Sequence, residues 1–133
     1  MLIDVIIPAF NEANAVGKVI AEIPAIVRNI IVVNNNSNDD TRKVSLNAGA
    51  IVLDEPQKGY GKACLKGIAY LEGLKQSPDV VVFLDADYSD YPEEMVNILE
   101  PIFQDNADMV IGSRAKGSRE YGAMTLPQVF GNW

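Results

Sequence analysis

The chain has 133 residues, of which 48% are hydrophobic and 22% charged, enough for one soluble domain with its own core. Its formal net charge of −7 argues against a general nucleic-acid-binding surface. One cysteine, Cys64, excludes an intrachain disulfide, and the lack of histidine leaves any metal to carboxylates, which favour Mg2+ or Mn2+ over Zn2+.

Residues 2–8, LIDVIIP, are apolar and β-branched and close on Pro8, which reads as a buried strand. No basic leader precedes it, so a signal peptide is not expected, and no apolar run is long enough to span a bilayer. A helix is predicted over 13–28, with Val16, Val19, Ile20, Ile23 and Val27 on one face and Pro24 as a kink or break. NIIVVN (29–34) is a second strand. A loop leads to a short helix near 40–48, with Gly49 at its C-terminal cap. AIVLD (50–54) is a third strand, EPQKGYG a turn, and 61–75 a helix with Cys64, Ile68 and Leu71 in phase. VVVFLD (80–85) is a fourth strand. Pro92, Glu93 and Glu94 suit the first turn of another helix, and DMVIGS (108–113) is a fifth strand. After Arg114 the pattern fades, so 115–133 is read as an acceptor-side loop that needs a partner or continues into a further segment, beside a core domain of 1–114.

Strands apolar on both faces, alternating with helices, predict an α/β domain: a mostly parallel sheet with helices on both sides. Ligands of such sheets bind beyond the carboxyl ends of the strands. The polar clusters lie at those ends: Asn11 and Glu12, Asn34–Asp40, Asp54–Gly61, Asp85–Asp90, and Ser113–Arg114.

Asp85 and Asp87 follow an apolar strand and are separated by Ala86, so both can project to one side. Paired carboxylates repel unless a cation lies between them or one is protonated, and Mg2+ or Mn2+ bridging to phosphate is the natural cation. A turn cap and a solvated acid account for the pair equally well. KGYGKA (58–63) is a glycine-rich entry to a helix, where backbone N–H groups and Lys58 or Lys62 can meet phosphate, although it is also ordinary turn chemistry. Arg114 beyond a strand end can grip a phosphate with two N–H groups, or simply be solvated. Cys64, on an apolar helix face, reads as core.

Taken in order, VIIPAFNE (5–12), VVNNNSNDDT (32–41), KGYGKA (58–63), FLDADYSDYPEE (83–94) and IGSR (111–114) resemble the family 2 glycosyltransferases of GT-A fold. The resemblance covers nearly the whole chain. It is strongest to the branch of dolichyl-phosphate mannose and glucose synthases and bacterial polyprenyl-phosphate sugar transferases.

The resemblance implies that Pro8, Ala9, Phe10 and Glu12 line a nucleotide pocket. It implies that the loop carrying Asn35, Ser37 and Asp39 holds the base, and that Lys58, Gly61 and Lys62 border the nucleotide. Asp85, Ala86 and Asp87 become the DxD motif, with the two aspartates binding the divalent cation and the sugar nucleotide's diphosphate; Arg114 contacts phosphate. Asn34 and Asn35 stand where the family often has aspartates. An asparagine amide can accept from uracil N3–H and donate to O4, so a uridine donor survives and UDP or GDP stays open. Ser89 stands where lipid-phosphate synthases often carry glutamine.

The expected reaction is inverting transfer of a sugar from a UDP- or GDP-sugar. An alcohol acceptor needs a general base, such as Asp90 or a residue of a further segment. A polyprenyl or dolichyl phosphate needs none, being mostly ionised with a second pKa of about 6. Arg114, Lys116 and Arg119 can supply the cations it needs. The protein is accordingly expected on the cytoplasmic side, at the inner face of a membrane, with homo-oligomerisation open. The alternatives are a nucleotide-sugar-binding fragment without turnover, a sugar nucleotidyltransferase, and a flavodoxin-like signalling domain. PAFNEANAVGK after the first strand lacks the basic glycine-rich loop of the second, and the third has no need of the acidic pair.

Overall fold

The computed structural model describes residues 2–88, and the backbone of the two strands Met109–Ile111 and Gln128–Gly131. In chain order the elements are β1 (Ile3–Ala9), α1 (Val16–Ala21), β2 (Asn29–Asn34), α2 (Thr41–Asn47), β3 (Ile51–Asp54), α3 (Tyr60–Glu72), β4 (Val80–Phe83), β5 (Met109–Ile111) and β6 (Gln128–Gly131). They build one six-stranded sheet in the order β3-β2-β1-β4-β6-β5. The pairs β1–β2, β1–β4 and β2–β3 are parallel, as βαβ crossovers demand.

Both sheet faces are covered. Ile3, Val5, Ile7 and Ala9 of β1 pack with Val32, Val80 and Val82 beneath Val16, Val19 and Ile20 of α1. The opposite face carries Ile6, Ile31, Val33, Val81 and Phe83 against Ala63 and Leu71 of α3. This two-sided burial is why the strands read as continuous apolar runs rather than alternating ones. Cys64 packs on the second core, and burial pushes its thiol pKa up.

Three elements depart from expectation. The helix predicted over 13–28 is regular only from Val16 to Ala21. Proline disfavours helical geometry in the residue before it, and the chain leaves the helix ahead of Pro24. Ile23 and Val27 still pack on the α1 side of the sheet, so the apolar face was read correctly although the helix was not. The fourth strand stops at Phe83, which leaves Asp85 in the loop beyond it. Within 115–133, read as loop, Gln128–Gly131 forms β6. It pairs antiparallel with both β4 and β5, inserting between them and making the sheet mixed. The helix expected from Pro92, together with Ser89, Asp90, Arg114, Lys116 and Arg119, lies outside the described residues.

At the amino ends of the strands, Asp4 is a fully buried charge inside β1. Arg28 donates to it through Nε (3.0 Å) and NH2 (2.5 Å), and the Asn29 backbone N–H adds a third bond at 3.0 Å. Arg28 also donates to the Gln76 carbonyl at 3.0 Å, while the Leu2 N–H reaches Asp79 at 2.6 Å. This end of the sheet is tied by polar bonds between chain segments, which leaves the carboxyl ends as the open edge.

Candidate functional site

At the carboxyl edge, the segments following β1, β2 and β3 meet around a cavity of about 290 Å³ lined by Pro8, Ala9, Phe10, Asn35, Lys58, Gly59 and Tyr60. Pro8 and Asn35 continue the α3-facing alternation of Ile6 and Val33, which places both at the foot of the cavity. Gly59 sits at φ 136°, ψ 133°, a conformation open essentially to glycine, and turns the chain directly into α3. Above the cavity, the Lys58 ammonium lies 4.5 Å from the centroid of the Phe10 ring. Phe10 is 41% exposed and Tyr60 55%, so two aromatic rings stand accessible at the mouth.

Asn35 is 6% exposed and its amide is committed. Nδ2 donates to the carbonyls of Glu55 (3.0 Å) and Gln57 (2.8 Å), and Oδ1 accepts from the Gly59 N–H (2.9 Å). Both Nδ2 hydrogens of Asn35 thus serve the loop, while Oδ1 keeps a second lone pair; Asn34, the other asparagine of this loop, donates to Asp54 Oδ1 at 3.1 Å and accepts from the Ser37 N–H at 3.3 Å.

The other residues expected to hold the base tie the β1 and β2 loops together. Ser37 Oγ accepts from the Asn11 N–H (2.9 Å), and Asn11 Oδ1 accepts from the Asn38 N–H (2.7 Å). Asn11 and Asn36 adopt positive φ, 53° and 62°, which asparagine tolerates better than most residues. Asp39 accepts from the Thr41 hydroxyl and, at 2.9 Å, from the Thr41 N–H, and from the Ala13 N–H at 3.2 Å. Bonding from the Thr41 hydroxyl leads the effects that hold its carboxyl below the ordinary carboxylate range.

Beyond β4, Leu84 and Ala86 are buried in the core beneath α1, whereas Asp85 is half-buried and Asp87 exposed. Glu12 connects this acidic segment to the loops. Its N–H donates to Thr41 Oγ1 at 2.9 Å, and its carboxyl pKa is raised first by burial, then by the charges of Asp87 and Asp39. Carboxylates from three loops thus share one field. Among the described residues, no group of three or more His, Cys, Asp or Glu side chains forms a ready metal cage. Gly61 and Lys62 lie exposed in the first turn of α3.

The structure therefore brings Pro8, Ala9, Phe10, Asn35 and Lys58 together around one cavity and places Glu12 within the field of Asp87 and Asp39. Sequence reading passed over Tyr60 and Gly59 as wall residues, although both stand in the KGYGKA turn. It also passed over Thr41, the hydroxyl that links Glu12 to Asp39.

A mostly parallel sheet flanked by helices, with its loops gathered at the carboxyl edge, defines a nucleotide-sugar-binding domain of the GT-A fold. The sequence profile described as "Glycosyl transferase family 2" matches residues 4–132, and the chain belongs to that family. It is 31% identical over 131 residues to an uncharacterized protein of Methanocaldococcus jannaschii, covering 97% of this chain and 53% of that protein. It is 29% identical over 150 residues to a UDP-N-acetylglucosamine–dolichyl-phosphate N-acetylglucosaminyltransferase of Methanococcus voltae, covering 98% and 59%. Glucosyl-3-phosphoglycerate synthase of Mycobacterium tuberculosis, solved with Mn2+, UDP and glucosyl-3-phosphoglycerate, superposes with a TM-score of 0.73 at 27% identity, over 89% of this chain and 45% of that one. The chain spans about half the length of the curated relatives it matches.

Proposed function

We propose that this chain is the donor-binding part of an inverting glycosyltransferase that moves a sugar from a UDP- or GDP-sugar to a polyprenyl or dolichyl phosphate. The observation that carries the reading is the cavity walled by Pro8, Phe10, Asn35, Lys58 and Tyr60, with Asp85 and Asp87 on the same sheet edge. Phe10 and Lys58 cover the nucleoside, and the first turn of α3, with Gly61 and Lys62, faces its phosphates.

A divalent cation fits the acidic side of this edge: burial and the charges of Asp87 and Asp39 already hold Glu12 toward its protonated form, a strain that a cation relieves. Asp85 and Asp87 are the residues that would hold it, as carboxylates suit a hard divalent cation. When bound, Mg2+ or Mn2+ supplies neutralising charge for the departing diphosphate.

The acceptor oxygen attacks the anomeric carbon from the face opposite the diphosphate. One C–O bond forms as the other breaks, and the configuration inverts. A phosphate monoester is already an oxyanion and gives up no proton, so a fold without histidine has no need of a base on this route. Arg114, Lys116 and Arg119 are the cations we assign to the acceptor's phosphate, and with a lipid acceptor we propose that the protein works at the cytoplasmic face of a membrane. The acceptor named for the Methanococcus voltae relative supports this choice over the phosphoglycerate of the mycobacterial enzyme. Among the described residues no helix is long and apolar enough to cross a membrane.

Calorimetric titration with UDP, GDP and their sugar conjugates, with and without Mn2+, tests the donor site. The expected result is Mn2+-dependent binding of one nucleotide class. Binding of none, or binding indifferent to the metal, overturns the assignment. Turnover with a polyprenyl phosphate against 3-phosphoglycerate then decides the acceptor.

A further inference from the structure

The loop from Glu55 to Gly59 makes one wall of the cavity, and a single buried side chain spans it from another segment. The carbonyls of Glu55 and Gln57 each need a donor and the Gly59 N–H needs an acceptor; Asn35 serves all three, at 3.0, 2.8 and 2.9 Å. Only a primary amide offers two donors and an acceptor in so small a side chain. An aspartate would turn an oxygen toward two carbonyls, and an alanine would leave three backbone groups without these partners. The loop has other bonds as well: Glu55 N–H donates to the Asn34 carbonyl at 2.9 Å, Gln57 N–H to Glu55 Oε2 at 3.0 Å, and the Gly59 carbonyl accepts from the Ala63 N–H at 3.1 Å where α3 begins. Of these, only the first comes from another segment, and it holds the loop at Glu55, ahead of Lys58. Yet Lys58 must be held in place to lie over Phe10, and Gly59 to begin α3 at φ 136°.

We infer that Asn35 is a positioning residue: its amide builds the wall that sets Lys58 over Phe10, and it acts on a bound nucleotide through Lys58 rather than by reading the base. The inference rests on the reading of the cavity as the donor's nucleotide site. Its consequence for selectivity is definite. Loss of Asn35 weakens uridine and guanosine diphosphates alike, because what is lost is the wall and not a base contact.

The test is a double-mutant cycle, read as affinity for UDP and for GDP in Mn2+, across the wild type, Asn35→Ala, Lys58→Ala and the double variant. Asn35→Ala is expected to weaken binding about tenfold for both nucleotides, and by no more than about twofold in the Lys58→Ala background. Losses that multiply in the double variant, or a UDP-to-GDP preference shifted about fivefold or more by Asn35→Ala, overturn the inference. If Asn35→Ala does not fold, Asn35→Asp takes its place, keeping size and the Gly59 acceptor while losing both donors.

A second readout needs no nucleotide. Tryptic cleavage after Lys58, relative to cleavage after Lys75, is expected to rise about fivefold or more in Asn35→Ala, since a released loop opens locally while α3 stays folded. An unchanged ratio overturns the inference. If the wild type binds no nucleotide, the donor-site reading fails by itself and the cleavage ratio still decides whether Asn35 orders the wall.

Discussion

Arg28 and Asp4 form a two-pronged ion pair at the closed end of the sheet, with the carboxylate fully buried and the guanidinium side chain a quarter exposed. The asymmetry decides which half is harder to lose. Arg28→Met strands a buried carboxylate that keeps its bond from the Asn29 N–H, and is expected to cost about 3–5 kcal/mol. Asp4→Asn keeps an acceptor for Asn29 and leaves an arginine that can turn to water; about 1–3 kcal/mol is expected. Urea unfolding of the two variants measures the order, and a larger loss for Asp4→Asn contradicts it.

Gly67 sets how closely α3 approaches β1. A Cβ at this position would lie 2.8 Å from Ile6 Cγ2, 3.0 Å from Cδ1 and 3.1 Å from Cγ1. Ile6 is fully buried in a strand and has little room to turn aside, so Gly67→Ala is expected to cost about 1–3 kcal/mol despite alanine's better helix propensity. Combining it with Ile6→Ala should cost less than the sum of the single changes, by about 0.5–3 kcal/mol of coupling. Strict additivity in thermal unfolding would mean that the helix is free to shift.

What could be read from the residues follows from how local each signal is. β1, β2 and β4 announce themselves because burial on both faces leaves uninterrupted apolar runs, and the motif loops are legible because each directly follows such a run. β6 was invisible: QVFG is too short for a period and earns its place only by pairing with β4, far away in sequence. Asp4 drew no notice within an apolar strand, since its partner lies on a different segment. At the site, the sequence located the loops but could not apportion roles within them. Asn35, Ser37 and Asp39 are the residue types that contact a ligand, and the same types that tie a loop. Only the bonds they make separate the two uses.

Glu12 makes stability depend on pH in a definite direction. Its carboxyl is raised above its ordinary 4.5 by burial, then by Asp87 and Asp39. A raised acid favours the folded state while it is protonated, below its unfolded value, and that contribution is lost as pH rises through the folded value. Glu12→Gln should therefore raise the melting temperature at neutral pH and change it little at pH values well below 4.5, where the wild-type carboxyl is already neutral. Equal melting temperatures at neutral pH would show that the field on Glu12 is weaker than the geometry implies.

Asp87 links that field to the metal. It is exposed and follows the buried Ala86, so Asp87→Asn should leave the unfolding free energy within about 0.5 kcal/mol of wild type. The same change removes one of the two charges that raise Glu12, so the Glu12 carboxyl, followed by NMR titration, should move back toward its ordinary value. If Asp87 also holds the cation, Mn2+ should no longer strengthen nucleotide binding by the variant, while any metal-free affinity persists through the Phe10 and Lys58 wall. Three results from one substitution separate the possibilities. A shifted Glu12 with intact Mn2+ dependence places Asp87 in the acidic field but not on the metal. Loss of Mn2+ dependence with a normal fold assigns it to the cation.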